Sequence, residues 1–261
     1  MDDLERLDAI RARTPARLFV GRSGVGYRTR TQLELRADHA AARDAVQASI
    51  DMDRDLGDLA RRTNLLEASS RAGTKQEYLL RPDLGRRLDD DSRRRIAAEC
   101  PAGADLQIVL GDGLSAAALI AQGPKLLPAL MAQAGGWSLG RVVFVRHCRV
   151  GIMNDIGDLL CPEIVVLLIG ERPGLMTADS LSAYLAYRPR AGDTDARRNL
   201  VSNIHARGVA VADAVPRILA LASRMRGAKT GGVAVKEGWG SAGVDSMIPL
   251  RTDEEIEKKG D

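Results

Sequence analysis

Three polar, glycine-bearing segments each follow an apolar run of the sequence, and they are the places where this chain could bind a ligand. They are residues 111–115, 146–151 and 170–174. In an open parallel sheet, ligands bind beyond the carboxyl ends of the strands, and glycine there lets a ligand come close to the backbone. The pattern predicts one binding surface built from three loops, although each loop alone is equally consistent with an ordinary strand-to-helix turn.

None of these segments carries a known phosphate-binding or catalytic signature. Residues 111–113 lack the third glycine of a dinucleotide fingerprint, and residues 170–172 lack the lysine and hydroxyl of a Walker loop. Ser115 lacks the Gly-x-Ser-x-Gly elbow of a serine nucleophile. His147 and Cys148 are adjacent, and adjacent side chains on a strand point to opposite faces, which argues against a Cys/His nucleophile. We therefore predict a ligand surface without a catalytic residue in this chain.

The histidine and cysteine content predicts neither a metal site nor a disulfide framework. The three histidines are scattered, and the three cysteines include no Cys-x-x-Cys pair, the spacing typical of zinc sites. An odd number of cysteines is typical of a reducing cytosol. Aromatic residues make up only 3% of the chain and the net charge is +3, which disfavours a stacking surface for nucleic acid and a strongly basic surface for acidic partners.

The sequence also predicts a location inside the cell. No apolar run approaches the roughly 20 residues that a membrane helix needs. The sequence from Met1 to Leu4 lacks the basic and apolar regions of a signal peptide. We therefore expect the protein to stay inside the cell, in the cytoplasm.

Buried strands that alternate with helices are predicted to position the three loops. Apolar runs predict strands at residues 106–110, 142–145, 164–169 and 183–187. Helices are predicted between or after them at residues 115–121, 126–134, 154–160 and 209–225, with Pro216 marking a kink or the true start of the last. Continuous apolar strands alternating with helices are typical of a parallel sheet covered on both faces, so the fold class is α/β.

The residues before the first of these strands are predicted to be mainly helical. Helices are expected around Leu4, Leu7 and Ile10, which we assign to an ordinary core, and over residues 53–62. Another is expected from Thr31 as its cap to about residue 50, with a buried stripe of Leu33, Ala37, Ala41 and Val46. Residues 78–80 are interpreted as a strand, and residues 81–85 as a turn.

These patterns divide the chain into three parts. Residues 1–95 are predicted to form a smaller helical N-terminal domain, and residues 96–235 a parallel-sheet domain that binds the ligand. Residues 236–261 are charged and glycine-bearing, and we expect a disordered tail there.

Several segments, in the same order and spacing, resemble the small subunit of adenosylcobalamin-dependent ethanolamine ammonia-lyases. The longest is Ile-Gly-Glu-Arg-Pro-Gly-Leu at 169–175, within a match over 165–175, and Ser-Asn-Ile-His at 202–205 is another. The others lie at residues 14–17, 21–25, 37–46, 109–115, 149–151, 156–160, 182–184, 187–189 and 198–201. The resemblance covers the chain to about residue 232 and fades over about 55–87.

The resemblance implies a Rossmann-like parallel sheet domain preceded by the helical N-terminal domain. It also implies a reaction, the conversion of ethanolamine to acetaldehyde and ammonia by adenosylcobalamin radical chemistry. In this family a large subunit holds the substrate, the small subunit forms one side of the cobalamin site, and small subunits lie outside a large-subunit core. Packaging in an ethanolamine-utilisation bacterial microcompartment is left open.

The family's cobalamin contacts correspond to three residues of this chain. They are Val150, Glu171 and Leu200, of which the last stands where the family commonly has cysteine. Glu171 could accept hydrogen bonds from amides of the cofactor, and Val150 could pack on its apolar rim. Leu200 keeps only the apolar part of what a cysteine offers.

Two alternatives remain beside the ammonia-lyase subunit. A stand-alone nucleotide-binding oxidoreductase would need a complete glycine fingerprint and an acidic partner, and the sequence has neither. A non-catalytic assembly protein with a Rossmann-like core would join a large partner without contributing to cobalamin affinity.

Overall fold

The computed structural model describes residues 3–12, 18–174 and 177–237. The predicted tail lies outside the described residues from position 238 onward. Position 175 and the whole of the matching segment 14–17 also lie outside the described residues. Within the described ranges the helices are α1 (Asp3–Ala12), α2 (Thr29–Gln47), α3 (Met52–Thr63), α4 (Lys75–Leu80), α5 (Asp90–Glu99), α6 (Ala116–Gln133), α7 (Ile152–Leu160) and α8 (Val211–Ala228).

The strands form a two-stranded hairpin and a six-stranded sheet. The hairpin consists of β1 (Arg22–Ser23) and β2 (Gly26–Tyr27). The sheet contains β3 (Leu66–Ser69), β4 (Leu106–Gly111), β5 (Val143–Arg146), β6 (Ile164–Gly170), β7 (Leu181–Tyr187) and β8 (Arg198–Ile204). Short 3-10 turns cover Leu84–Arg86, Asp195–Arg197 and Gly232–Ala234.

The sheet is mostly parallel, with the strand order β3-β5-β4-β6-β7-β8. Strands β3, β5, β4 and β6 are parallel, and β7 and β8 are antiparallel to their neighbours. The chain leaves β4 to one side for β5 and then crosses to the other side for β6. The carboxyl ends of β4 and β6 therefore flank a topological switch point, where open α/β sheets bind ligands.

The α/β prediction is confirmed, but the sheet is not parallel throughout. The run predicted as a fourth parallel strand is β7, which runs antiparallel to β6. Residues 171–180 link the two strands, and a parallel crossover needs about a dozen residues or more. The short link turns the chain back instead.

Helices cover both faces of the sheet because side chains of the central strands alternate between two apolar cores. On one face, Ile108 and Val166 belong to a core with α3, α6 and α8. On the other face, Val109 and Val165 pack with α5 and α7. The second face opens toward β8, where Leu200 is 41% exposed.

The predicted buried stripe of α2 is wrong. Leu33 is 59% exposed, and Ala37 and Ala41 are also exposed, whereas Thr31 and Ala45 are buried. The packed stripe is offset from the predicted one: it runs through Thr31, Leu35, Ala42 and Ala45, which are buried or half-buried. Thr31 lies inside the helix rather than at its cap, which is Arg28. In α1, Ile10 is 44% exposed and not a core residue.

Residues 78–80 form the end of helix α4, not a strand. Thr74 caps this helix, since its hydroxyl accepts a hydrogen bond from the Glu77 N–H at 3.1 Å. The Glu77 carboxylate in turn accepts from the Gly73 N–H at 2.9 Å. This Thr-x-x-Glu pattern resembles a capping box, and it outweighs the strand preference of the apolar residues that follow.

Three further differences between the predicted and the observed structure concern which residues belong to strands and helices. Strand β3 was not predicted, although it pairs with β5 inside the main sheet; the domain boundary at residue 95 stays a prediction. The helices predicted at 115–121 and 126–134 are one helix, α6, which continues through Pro124 and Pro128. Helix α8 likewise continues through Pro216, so this proline does not mark the start of the helix.

One side of β8 is closed by the last described segment of the chain. The amide nitrogen of Asn199 donates to the carbonyls of Gly232 at 3.2 Å and Val235 at 2.6 Å. Its amide oxygen accepts from the Gly232 N–H at 2.6 Å. These bonds hold residues 232–235 against the outermost strand. None of the described helices is long and apolar enough to cross a membrane.

The burial of the cysteines predicts how the thiols react. Cys100 and Cys148 are buried and Cys161 is exposed, and burial raises the pKa of both buried thiols. We expect one thiol per chain, that of Cys161, to react rapidly with Ellman's reagent in the native protein, and all three thiols to react after unfolding in guanidinium. The thiolate is the reactive form, and burial hinders its formation at the other two cysteines. Cys161→Ser should abolish the fast phase; a fast phase that survives this substitution contradicts the structure.

Candidate functional site

A cleft lies at the switch point of the sheet, and the three loops singled out in the sequence meet there. It has a volume of about 240 Å³, which is below the roughly 300 Å³ at which pockets for whole ligands begin. The described residues thus enclose only part of a ligand. The lining consists of Tyr78, Gly113, Leu114, Cys148, Arg149, Val150, Ile169, Gly170, Glu171, Arg172 and Tyr184.

Backbone rather than side chain forms the floor of the cleft between β4 and β6. The Leu114 N–H donates to the Gly170 carbonyl at 3.1 Å. Gly113 has a φ of +59°, and a Cβ atom there would collide with the Gly170 carbonyl. Since only glycine fits this approach, the two loops are held in direct contact and leave their polar backbone close to any ligand.

Ser115 is a structural residue and not a nucleophile. Its hydroxyl accepts from the Ala118 N–H at 3.2 Å and so caps α6. The same hydroxyl donates to the Ala178 carbonyl at 2.5 Å. Ser115 thereby fastens the link between β6 and β7 to the first turn of the helix.

Asp112 shapes the loop that follows β5. Its side chain accepts hydrogen bonds from the backbone N–H groups of His147 at 2.9 Å and Cys148 at 2.8 Å. His147 has a φ of +53°, a conformation that non-glycine residues seldom adopt without support. The two charge-assisted bonds supply that support, and they orient the following residues, including Val150, toward the cleft.

Tyr78 closes the cleft from the side of α4. It is fully buried, and its hydroxyl donates to the Cys148 carbonyl at 3.0 Å. Burial raises the pKa of this hydroxyl, so it stays protonated and acts as a donor. The guanidinium of Arg149 lies 4.3 Å from the centre of its ring, and the ammonium of Lys75 lies 5.1 Å from it, both in the range of cation–π contacts.

Lys75 and Arg149 each keep an N–H group without a hydrogen-bond partner among the described residues. These atoms are the Lys75 Nζ and the Arg149 Nε, and both are buried. Burial lowers the pKa of Lys75, the positive charge of Arg149 lowers it further, and Asp112 opposes them. Unsatisfied buried donors are costly, so the two groups are suited to a ligand with acceptor oxygens.

Cys148 and His147 do not form a nucleophilic pair. Burial raises the pKa of the Cys148 thiol, and the neighbouring carboxylate of Asp112 adds to this shift. His147 Nδ1 donates to the Ala72 carbonyl at 2.8 Å. A protonated thiol beside a ring nitrogen that is engaged elsewhere is not activated for attack.

Two of the three predicted cofactor contacts lie in this cleft. Val150 and Glu171 both line it, although they belong to different loops. The Glu171 carboxylate accepts from the Ser180 hydroxyl at 3.1 Å and from the Ser182 hydroxyl. These bonds orient the carboxylate, so it is not a freely rotating surface acid.

Leu200 lies beside the cleft rather than in its lining. It pairs with Tyr184 across β7 and β8, and directly opposed residues share a face of the sheet. Tyr184 lines the cleft and Leu200 is exposed next to it. The structure therefore places the third predicted contact on the continuation of the same surface.

Sequence reasoning missed several residues that shape the cleft. Tyr78 was assigned to a strand, and Lys75 was not considered. Asp112 and Arg149 lay inside predicted loops without a role. The Thr74–Glu77 capping pattern was the available signal for helix α4, although it does not show that Tyr78 reaches the β5 loop.

The described residues contain no group of three or more His, Cys, Asp or Glu side chains that could hold a metal ion. The cleft instead offers hydrogen bonds from the charged side chains of Arg149, Glu171 and Arg172.

Comparison with known proteins points to one family. The family model for the ethanolamine ammonia-lyase light chain matches residues 4–236. The chain is 39% identical over 236 residues to the ethanolamine ammonia-lyase small subunit of Clostridium perfringens, covering 90% of this chain and 78% of that one. It is 42% identical over 225 residues to the small subunit of Listeria innocua, covering 85% and 75%. Clostridioides difficile has a relative at 39% identity, covering 90% and 79%.

Asp112 should contribute strongly to stability. We expect Asp112→Ala to lower the free energy of unfolding by about 2–4 kcal/mol, because two buried N–H groups lose their acceptor. Urea denaturation measures the change. The control is Asp58→Ala, whose side chain is 87% exposed and should change stability by less than about 0.5 kcal/mol. Equal effects of the two substitutions would contradict the assigned role.

Proposed function

Because the chain belongs to the ethanolamine ammonia-lyase light-chain family, we propose that it forms one side of the adenosylcobalamin site in an enzyme that converts ethanolamine to acetaldehyde and ammonia. The observation that supports this role most directly is that Val150 and Glu171 line one cleft at the switch point of the sheet. We place the complex in the bacterial cytoplasm on the same family grounds, with microcompartment packaging left open.

The residues around the cleft fit a corrinoid. A corrin ring carries neutral amide side chains on an apolar rim, so its binding site needs acceptors, donors and apolar contacts. Glu171 offers an oriented acceptor, and the unpartnered Lys75 Nζ and Arg149 Nε offer donors. Val150 offers apolar contact, and the backbone floor at Gly113 lets a large ligand approach closely.

When bound, adenosylcobalamin supplies the radical chemistry through its cobalt–carbon bond. In this proposal the chain binds and orients the cofactor and leaves the chemistry on the substrate to the large subunit. The Tyr78 hydroxyl is committed to the Cys148 carbonyl, and the Cys148 thiol is buried and protonated. We therefore expect no turnover by the isolated chain.

A large subunit is proposed to cover the cleft and hold the substrate. The small volume of the cleft requires a second wall. Large apolar side chains remain exposed beside it and on the N-terminal elements: Phe19, Val25, Tyr27, Leu33 and Leu200. Exposed apolar groups of this kind are typical of protein interfaces. We propose a hetero-oligomer in which these surfaces meet the large subunit and the small subunits lie outside its core.

Removal of the Glu171 carboxylate tests the cofactor role. In the complex with the large subunit, Glu171→Gln should weaken adenosylcobalamin binding roughly tenfold, the effect of losing one charge-assisted hydrogen bond. A spectrophotometric titration measures the affinity, and ammonia release measures turnover.

Glu99→Gln is the matched control, since Glu99 lies at the end of α5 and pairs with Arg141 at 2.8 Å, outside the cleft. It should leave affinity unchanged. If Glu171→Gln also leaves affinity unchanged while the complex assembles normally, the chain is an assembly protein and the cofactor role is wrong.

A further inference from the structure

A second pocket, which we call the arginine pocket, adjoins the cleft and has no role in the function proposed above. It has a volume of about 280 Å³. Val150 lines the cleft and the next residue, Gly151, lines the arginine pocket, so the two sites share a wall. The lining consists of Arg86, Arg87, Gly151, Asn154, Ala191, Gly192, Asp193, Thr194, Asp195 and Arg198.

Arg198 is a buried cation with an unused donor. Its side chain is only 4% exposed. It forms an ion pair with Asp195 and donates to the Asn154 side-chain oxygen at 3.2 Å. Its Nε is buried and has no hydrogen-bond partner in the described part of the chain. Because an arginine stays charged in proteins, this N–H group requires an acceptor that the described residues do not supply.

Arg86 adds a second positive charge next to Arg198. The two guanidinium groups are close enough that Arg86 contributes to lowering the pKa of Arg198, after burial itself. The stem of Arg86 packs on Gly151, where an added Cβ would lie 2.8 Å from the Arg86 Cγ. Arg86 is exposed at its end and forms no ion pair within the described ranges.

The acidic residues of the pocket do not completely neutralise the positive charges of Arg86 and Arg198. Asp195 is engaged by Arg198, and Asp193 lies 3.6 Å from Arg197. Arg87 is neutralised by Asp155 at 2.8 Å. The charge of Arg86 acts on the carboxylate of Asp83, which is already bound by Arg81. Arg86 therefore forms no ion pair within the described ranges, and two like charges at close range favour binding of an anion between them.

Tyr184, which lines the cleft, lies near acidic residues of both the cleft and the arginine pocket. Burial raises the pKa of its phenol, and the negative charges of Glu171 and Asp195 raise it further. Glu171 lines the cleft, and Asp195 lines the arginine pocket. The phenol is thus within reach of charges from both sites, and one extended ligand can lie across them.

We propose that the arginine pocket binds a phosphate group, and that this group is the phosphodiester of the nucleotide tail of the cobalamin. This inference rests on the proposed function. The amides around a corrin ring are neutral, and the tail phosphodiester is the anion of the molecule. Guanidinium groups match phosphate oxygens with paired N–H donors. Near the cleft, the positive charge of Lys75 is opposed by Asp112, and Arg149 shares the cleft lining with the carboxylate of Glu171. The arginine pocket instead contains Arg86, which forms no ion pair within the described ranges.

The comparison of cobalamin with cobinamide, which lacks the nucleotide tail and its phosphate, tests this assignment. In the complex with the large subunit, Arg86→Gln should weaken cobalamin binding about 10- to 100-fold, the range for a charge-assisted hydrogen bond. Cobinamide binding should change less than about twofold. Arg94→Gln removes a 72% exposed arginine of α5 and should change neither affinity.

A loss that is equal for both corrinoids, or no loss for either, overturns the assignment of the tail phosphate. If the unsubstituted complex binds neither corrinoid, the proposed function fails. Titration of the full chain with inorganic phosphate then tests separately whether the arginine pocket binds an anion. Phosphate binding that Arg86→Gln abolishes would then identify free phosphate as the ligand. No phosphate binding would show that the pocket is not an anion site.

Discussion

The geometry of the candidate site depends on one buried carboxylate. Asp112 is the first residue of the turn after β4, and it accepts hydrogen bonds from the N–H groups of two consecutive residues after β5. Few side chains other than a carboxylate can satisfy two adjacent backbone donors and also support the positive φ of His147. The loop fixed in this way carries Arg149, Val150 and Gly151, so the cleft and the arginine pocket both derive their shape from the same pair of hydrogen bonds.

The sequence predicted the centre of the fold better than its margins, and the reason is physical. The runs that became β4, β5 and β6 are apolar except for Gln107 and the final Arg146, because both faces of these strands are buried. Strand β3 alternates between buried and half-exposed residues over only four positions, so it has no comparable signal. In α2, an alanine-rich sequence offers two apolar stripes, and tertiary packing on Thr31 and Ala45 decided between them.

The candidate site was predicted in part for the same reason. Glycines and polar residues after apolar strands identify the loops, and the family resemblance singled out Val150 and Glu171 within them. Tyr78, Lys75 and Arg86 come from residues 55–87, where the resemblance fades, and their approach to the β5 loop depends on long-range packing. No local pattern could show that Arg86 rests on Gly151.

The hydrogen bonds from Asn199 to residues 232–235 affect how the chain behaves before it binds another subunit. An outermost strand with free N–H and C=O groups is a template for uncontrolled association between identical molecules. The amide of Asn199 secures a short stretch of the same polypeptide there. Residues 232–235 therefore lie beside the outermost strand, and we expect this contact to reduce edge-to-edge association of copies that have not yet met their partner.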